Sequence, residues 1–225
     1  MELKFIGNGS AFSKTNNSAF FEINNNLYMI DSSMININRM KMLFDFTKYD
    51  SVNIIVTHTH ADHVNAIPNI IDYLKYFYHI KLNIIIPSSL KEDIISLNRI
   101  CGVSDEDYNI IDSKNVSFIK ETIKTEHASK LLNGSYGYIF EINNKLILYT
   151  GDSANLDVFD KWLSKVDEAY IDTSYNKTIH HSNIEEVIKL KDICKHIYIM
   201  HLDNEEELKN IVRDIDNISI CELYK

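Results

Sequence analysis

Short apolar runs alternate along this chain with longer segments whose apolar residues recur at helical spacing. Runs at 52–57, 82–86, 116–124, 168–172 and 196–200 read as strands, because short apolar stretches without helical periodicity suit strands buried on both faces. The stretch Met1-Glu2-Leu3-Lys4-Phe5-Ile6-Gly7 also starts as a strand. The segment 64–78 sets Ile67, Ile70, Ile71, Leu74 and Phe77 at helical spacing. The segment 36–47 places Ile37, Met40, Met42, Leu43 and Phe44 mostly on one side, with the methionines as core filler. Segments 88–100, 155–165, 183–193 and 204–214 read as further helices. One of them opens with Asn183 and Glu186, a cap with its reciprocal acid. Strands alternating with helices predict an α/β architecture, a mixed sheet core covered by helices.

The pattern contains an internal echo. Phe21-Glu22-Ile23-Asn24-Asn25-Asn26-Leu27 resembles Phe140-Glu141-Ile142-Asn143-Asn144-Lys145-Leu146. Each is an apolar strand, an Asn-rich turn and a second apolar strand, and Asn tolerates the positive φ that a tight hairpin requires. Each second strand runs into an acidic residue followed by serine, Asp31-Ser32 in one copy and Gly151-Asp152-Ser153 in the other. Two such units suggest two related sheet halves.

Composition narrows the class. A chain of 225 residues, 45% hydrophobic, can bury one sizeable core, and no Pro- or Ser-rich linker divides it, so residues 1–225 read as one domain. The net charge of −9 argues against an extended grip on nucleic acid, which relies on clustered Lys and Arg. The three cysteines, Cys101, Cys194 and Cys221, lie far apart in no pairing pattern and read as reduced thiols of a cytoplasmic protein. The N-terminus does not read as a signal peptide, and no apolar run approaches membrane-spanning length.

The chemistry concentrates in Thr57-His58-Thr59-His60-Ala61-Asp62-His63, directly after an apolar strand. His58 and His60 are two positions apart, so an extended backbone points both to one side, where they can share an ion. Asp62 and His63 follow where the chain turns and can reach a second ion beside the first. Imidazole and carboxylate suit zinc and other borderline divalent metals. Four further candidates sit at the ends of apolar strands: His127, Asp152, His181 and His201.

This order of residues resembles the metallo-β-lactamase superfamily of hydrolases: HxHxDH, a lone His, Gly-Asp, and a final His after an apolar strand. The resemblance runs from Phe5-Ile6-Gly7-Asn8-Gly9-Ser10 to His201. It implies an αββα sandwich with duplicated halves. Carried over by position, it implies that His58, His60 and His127 hold one divalent ion and that Asp62, His63 and His201 hold a second. Asp152 would bridge them, and Asp31 would support the site from below. Zinc is the first expectation and manganese the alternative.

Within the superfamily, class B β-lactamases usually carry Cys where this chain has Asp152, and flavodiiron proteins carry Glu in place of His60 and add a flavin domain. Glyoxalase II adds a C-terminal helical region that this chain is too short to hold. The opening Gly7-Asn8-Gly9-Ser10-Ala11, His63-Val64-Asn65-Ala66-Ile67-Pro68 and Asp172-Thr173-Ser174-Tyr175 with His181-Ser182 are most similar to ribonuclease Z and its phosphodiesterase relatives. In that branch an acid at the position of Asp172 orients a His at the position of His181 towards the scissile phosphate. His180 competes with His181 for this role, and the spacing to Ser182 favours His181. The long tRNA-gripping arm of ribonuclease Z is missing, because His127 to Asp152 leaves room only for a hairpin.

The expected activity is therefore hydrolysis of a small cyclic or short nucleotide. A water activated between two metals would attack phosphorus, with Asp62 orienting it and His181, held by Asp172, assisting the phosphate or leaving oxygen. The expected partner is a small phosphodiester or nucleotide, with no membrane, and a homodimer is open. Alternatives are tRNA 3′ processing without the arm, hydrolysis of a lactone or thioester by the same ligands, and a non-catalytic metal-binding protein.

Overall fold

In the computed structural model, which describes residues 2–225, the two hairpins of the echo occupy equivalent places in two sheets. Met1, where the reading of an N-terminal strand began, lies outside the described residues. The first sheet runs in chain order: β1 (Lys4–Gly7), β2 (Ser18–Ile23), β3 (Asn26–Ile30), β4 (Ser51–Ile55), β5 (Leu82–Ile86) and β6 (Tyr108–Asp112). The second contains β7 (Ile119–Thr125), β8 (Ser135–Ile142), β9 (Lys145–Tyr149), β10 (Glu168–Asp172), β11 (Ile197–Met200) and β12 (Ile218–Ile220), also in sequential order. In each sheet the first three strands pair antiparallel and the remainder parallel.

The turns follow from the sequence. Asn24 and Asn25 have φ of 48° and 60°, and Asn143 and Asn144 have 52° and 61°. Two consecutive left-handed residues make the hairpin turn whose twist matches its strands.

The helices α1 (Ile37–Leu43), α2 (Ala61–Val64), α3 (Ile67–Tyr78) and α4 (Lys91–Ile100) belong to the first half, and α5 (Asp160–Leu163), α6 (Ile184–Lys189) and α7 (Glu205–Val212) to the second. Side-chain alternation sorts the strands into layers. Ile54, Ile84 and Ile86 join the cluster that includes Ile67, Ile70 and Leu74 of α3. Their neighbours Ile55 and Ile85 point the other way and meet Tyr138, Phe140, Tyr149 and Met200 of the second sheet. A third cluster packs Ile139, Ile171 and Ile199 against Val187 of α6 and Leu208 of α7. The order is helix, sheet, sheet, helix.

Three local readings are corrected. Met42 is 79% exposed, so only Met40 of that pair fills the core. The regular helices are shorter than their apolar patterns, with 3-10 turns at several ends, as at Met34–Asn36 before α1 and Leu190–Asp192 after α6. Strands β6 and β12 add to the run of apolar strands, and each is a sheet edge. The capping box of Asn183 and Glu186 on α6 is present as read.

Candidate metal centre

The parallel strands of both halves deliver their C-terminal ends to one place, where α/β sheets put their chemistry. Past β3 comes Asp31, past β4 the histidine run, past β9 Asp152, at the end of β10 Asp172, and past β11 His201. Two of these residues, Asp31 and His201, have φ of 58° and 57°, a left-handed conformation unusual outside glycine. Asp31 is locked by its own N–H bonding to the Ile55 carbonyl at 2.8 Å, and the residue after His201 by Leu202 N–H bonding to the Asn8 carbonyl at 2.9 Å. Gly151 also has positive φ, and a Cβ there would lie 2.5 Å from the Tyr136 carbonyl oxygen, so glycine is the residue that lets Asp152 reach the centre.

All seven sequence-identified ligand candidates converge. His58 Nε2 and His127 Nε2 each lie 3.1 Å from His60 Nδ1. Opposite them, His63 Nε2 is 3.2 Å and His201 Nε2 3.5 Å from Asp62 Oδ2. Asp152 Oδ2 stands between the two groups, 3.7 Å from His58, 3.5 Å from His127, 3.5 Å from His63 and 3.4 Å from His201.

The donor set fits a cation on each side of Asp152. Buried His63 Nε2, His201 Nε2 and Asp152 Oδ1 have no hydrogen-bond partner, an arrangement that is costly unless something else satisfies them. Zinc–nitrogen bonds of about 2.0–2.1 Å in a tetrahedron give nitrogen–nitrogen edges of roughly 3.3 Å, close to the 3.1 Å that separates His60 Nδ1 from both His58 Nε2 and His127 Nε2.

The surrounding bonds fix which ring nitrogen faces inward. The Thr57 hydroxyl donates to Asp31 Oδ2 at 2.7 Å, so its oxygen is left to accept from His58 Nδ1 at 2.9 Å. Asp31 Oδ2 also accepts from His63 Nδ1 at 2.8 Å. His127 Nδ1 donates to the His180 carbonyl at 2.7 Å, since a carbonyl can only accept. Each of these three rings therefore turns its Nε2 lone pair to the centre, and His60 alone turns Nδ1. Asp172 Oδ2 accepts from His181 Nδ1 at 2.8 Å and from Ser153 N–H at 3.0 Å, while its Oδ1 lies 3.3 Å from His201 Nδ1.

Electrostatics divides the histidines. Burial, aided by neighbouring imidazoles, holds His58 well below the usual histidine range, and burial likewise lowers His60 and His127. These three rings are neutral and ready to donate. Burial opposes charge on His63 and His201 too, but the facing carboxylates outweigh it. Asp152 and Asp31 raise His63 far above the ordinary value, and Asp152, Asp172 and Asp62 push His201 up to about 10. A cation held on that side would displace their protons. Asp62 and Asp152 titrate low despite burial because protonated rings face them, whereas burial dominates at Asp31 and raises it. For His181 burial is likewise outweighed, by the bond to Asp172, and its affinity for a proton rises.

A pocket of about 260 Å³ opens over the centre and is lined by His60, Asp62, His127, Asp152, His180, His181 and His201, with Ala11 and Ala128. His181 stands at its edge, Nδ1 3.9 Å from Asp152 Oδ2. Two participants escaped the sequence reading. Thr57 relays between Asp31 and His58, and His180 acts through its backbone carbonyl. Thr57 opens the histidine motif, which was its one available signal; a carbonyl leaves none.

Similarity to known proteins agrees with this construction. The fold matches the metallo-β-lactamase fold protein YhfI from Bacillus subtilis at a TM-score of 0.76 and 15% identity, covering 97% of this chain and 95% of that one. It matches a diphosphatase of the PhnP family at 0.73 and 14% identity (99% and 95% covered), and the short form of human tRNase Z at 0.71 and 14% (100% and 98%). At such identities the likeness concerns the fold alone: the chain has the metallo-β-lactamase fold. Among sequence relatives, Anti-Pycsar protein Apyc1 of Bacillus phage 010DV004 is 32% identical over 97 residues, 42% of this chain and 38% of that protein. The Paenibacillus xerothermodurans protein of the same name is 32% identical over 93 residues, 40% of this chain and 36% of the relative. The alignments thus span less than half of either relative. The family described as Anti-Pycsar protein Apyc1 matches residues 1–220, nearly the whole sequence, and the chain therefore belongs to that family.

Proposed function

We propose that residues 1–225 form one domain that acts as a metal-dependent phosphodiesterase on a small cyclic or short nucleotide. The observation that carries this reading is the Asp152 carboxylate set between two groups of inward-facing donors, with His181 held beside it by Asp172. His58, His60 and His127 would hold one divalent cation, Asp62, His63 and His201 a second, and Asp152 both. Such ions, zinc first and manganese as the alternative, supply positive charge against phosphate oxygens and acidify a water.

The chain's own residues do the rest. Asp62, 14% exposed at the pocket floor, orients the attacking water and takes its proton. Asp172 raises the proton affinity of His181 and fixes Nδ1, which leaves Nε2 to donate to the phosphate or to the departing oxygen as its bond to phosphorus breaks. The pocket over the centre measures about 260 Å³. Strands β8 and β9 are joined by a two-residue turn, so no arm for tRNA projects there. The chain's family is named for acting against Pycsar, and its fold is one shared by a PhnP-family diphosphatase and a tRNase Z. No helix among the described residues is long and apolar enough to cross a membrane.

The test is a panel of cyclic mononucleotides, cyclic dinucleotides, precursor tRNA, bis(p-nitrophenyl) phosphate and a homoserine lactone, with metal quantified on the same sample. Metal-dependent cleavage of a small phosphodiester is expected. Turnover confined to the lactone overturns the reading, and bound metal without turnover of any ester makes the protein a non-catalytic binder.

Asp31→Asn checks the support beneath the ligands. It preserves shape but replaces the anionic acceptor shared by His63 and Thr57. Metal affinity, measured by competition with a chelator, is expected to fall about 10–100-fold. Unchanged affinity would show that Asp31 does not tune the ligands.

A further inference from the structure

Asp203 lies two residues past His201 and gathers four hydrogen bonds from one short segment. Tyr175 N–H reaches Oδ1 at 2.7 Å. Oδ2 accepts from the Ser174 hydroxyl at 2.8 Å, from Asn176 N–H at 3.2 Å and from the Asn176 side-chain amide at 3.0 Å. This segment is the root of the 173–183 loop that carries His180 and His181.

The far end of the loop is tied down by Ser182 Oγ donating to the Ser153 carbonyl at 2.8 Å, and its Ser182 carbonyl accepts from Ser174 N–H of the near end at 2.8 Å. Within the loop, Thr178 Oγ1 accepts from the backbone N–H groups of His180 and His181 at 3.0 Å each. Between the two ties the chain has little apolar anchorage, and Ile179 at the crest is 82% exposed. Ordering such a segment costs conformational entropy. Bonds to a carboxylate are stronger than those to a neutral acceptor. The Asp203 carboxylate is thus the charged hold on the near side, beside the Asn183 side-chain amide donating to the Tyr175 carbonyl at 3.2 Å and Ser174 N–H donating to the Ser182 carbonyl at 2.8 Å.

We propose that Asp203 is a positioning residue: it pins the root of the 173–183 loop to the strand end carrying His201, and so seats His181 against Asp172 for phosphodiester cleavage. The consequence for catalysis rests on the reading of His181 as the group that acts on the phosphate. Asp203 faces the loop rather than the pocket, so its influence passes through His181.

The experiment compares Asp203→Ala and the conservative Asp203→Asn in two backgrounds, wild type and His181→Ala. The readouts are kcat and KM on bis(p-nitrophenyl) phosphate, metal content, and hydrogen exchange at the Tyr175 and Asn176 amides of metal-free protein. Asp203→Ala is expected to lower kcat about ten- to a hundredfold, as loss of alignment does, with KM and metal content within about twofold. It should speed exchange at Tyr175, with Asp203→Asn falling between it and wild type. In the His181→Ala background the Asp203→Ala loss should vanish. Additive losses, a parallel fall in metal content, or an unaltered Tyr175 amide would each overturn the proposal. A wild-type protein that cleaves no phosphodiester defeats the functional reading alone; the exchange measurement still decides whether Asp203 anchors the loop.

Discussion

Asp152→Ala is expected to abolish turnover and to lower the metal content of the purified protein. The carboxylate is 2% exposed, and one of its oxygens lies within 3.7 Å of four imidazole Nε2 atoms, on His58, His63, His127 and His201. Among the described residues, Asp62 lies near the His63 and His201 side, and Asp152 is the acid that lies near both groups. Removing Asp152 takes away the anion that offsets two cations at once and the ligand common to both. A loss of about a thousandfold or more in kcat is expected, since charge stabilisation at the reacting phosphate depends on those ions. Without metal, the variant should still fold, because His63 and His201 can shed the protons that Asp152 stabilises. Elemental analysis beside circular dichroism checks both halves of the expectation. A folded variant with unaltered stoichiometry would remove Asp152 from the centre.

His181→Ala is expected to do the reverse, leaving metal in place while turnover collapses. The ring is held through Nδ1 by Asp172 and stands 3.9 Å from Asp152, outside the two inward-facing groups. Its removal costs the proton donor at the phosphate, about 10²–10⁴-fold in kcat. The pH profile supplies a second check. Asp172 raises the proton affinity of His181 above the ordinary histidine value, so the charged donor persists to higher pH than a free imidazole and is lost as pH rises through that elevated pKa. Wild-type kcat should therefore decline on the alkaline side, and that decline should be missing in His181→Ala. If metal content falls together with activity, His181 is a ligand and the assignment is wrong.

Much of this arrangement was legible because local chemistry and local geometry agree. Asn24-Asn25 and Asn143-Asn144 announce hairpins because few residues accept two successive left-handed conformations. The His58-His60 spacing implied a shared side because extended backbone alternates, and their ring nitrogens meet at 3.1 Å. Edge strands were harder. Strand β6 is largely half-exposed, and β12 is three residues long, so neither offers the apolar run that marks an interior strand. Met42 misled for a related reason: helical spacing places it near the apolar face, but α1 is too short and too peripheral to bury its whole stripe.

The order and type of the donors, the hairpin turns and the doubled strand pattern are written in the sequence, since each depends on residues close together in the chain or on the side-chain period of a strand. Which side chains meet across longer stretches of chain is not. Asp31 beneath His63, the contact of Asp172 with His201, the His180 carbonyl that orients His127, and Asp203 at the root of the His181 loop arise only when each half folds its strand ends and loops together. Hydrogen bonds and electric fields act over a few ångströms of space regardless of separation along the chain, so ring orientation and proton affinity were decided by the tertiary structure alone.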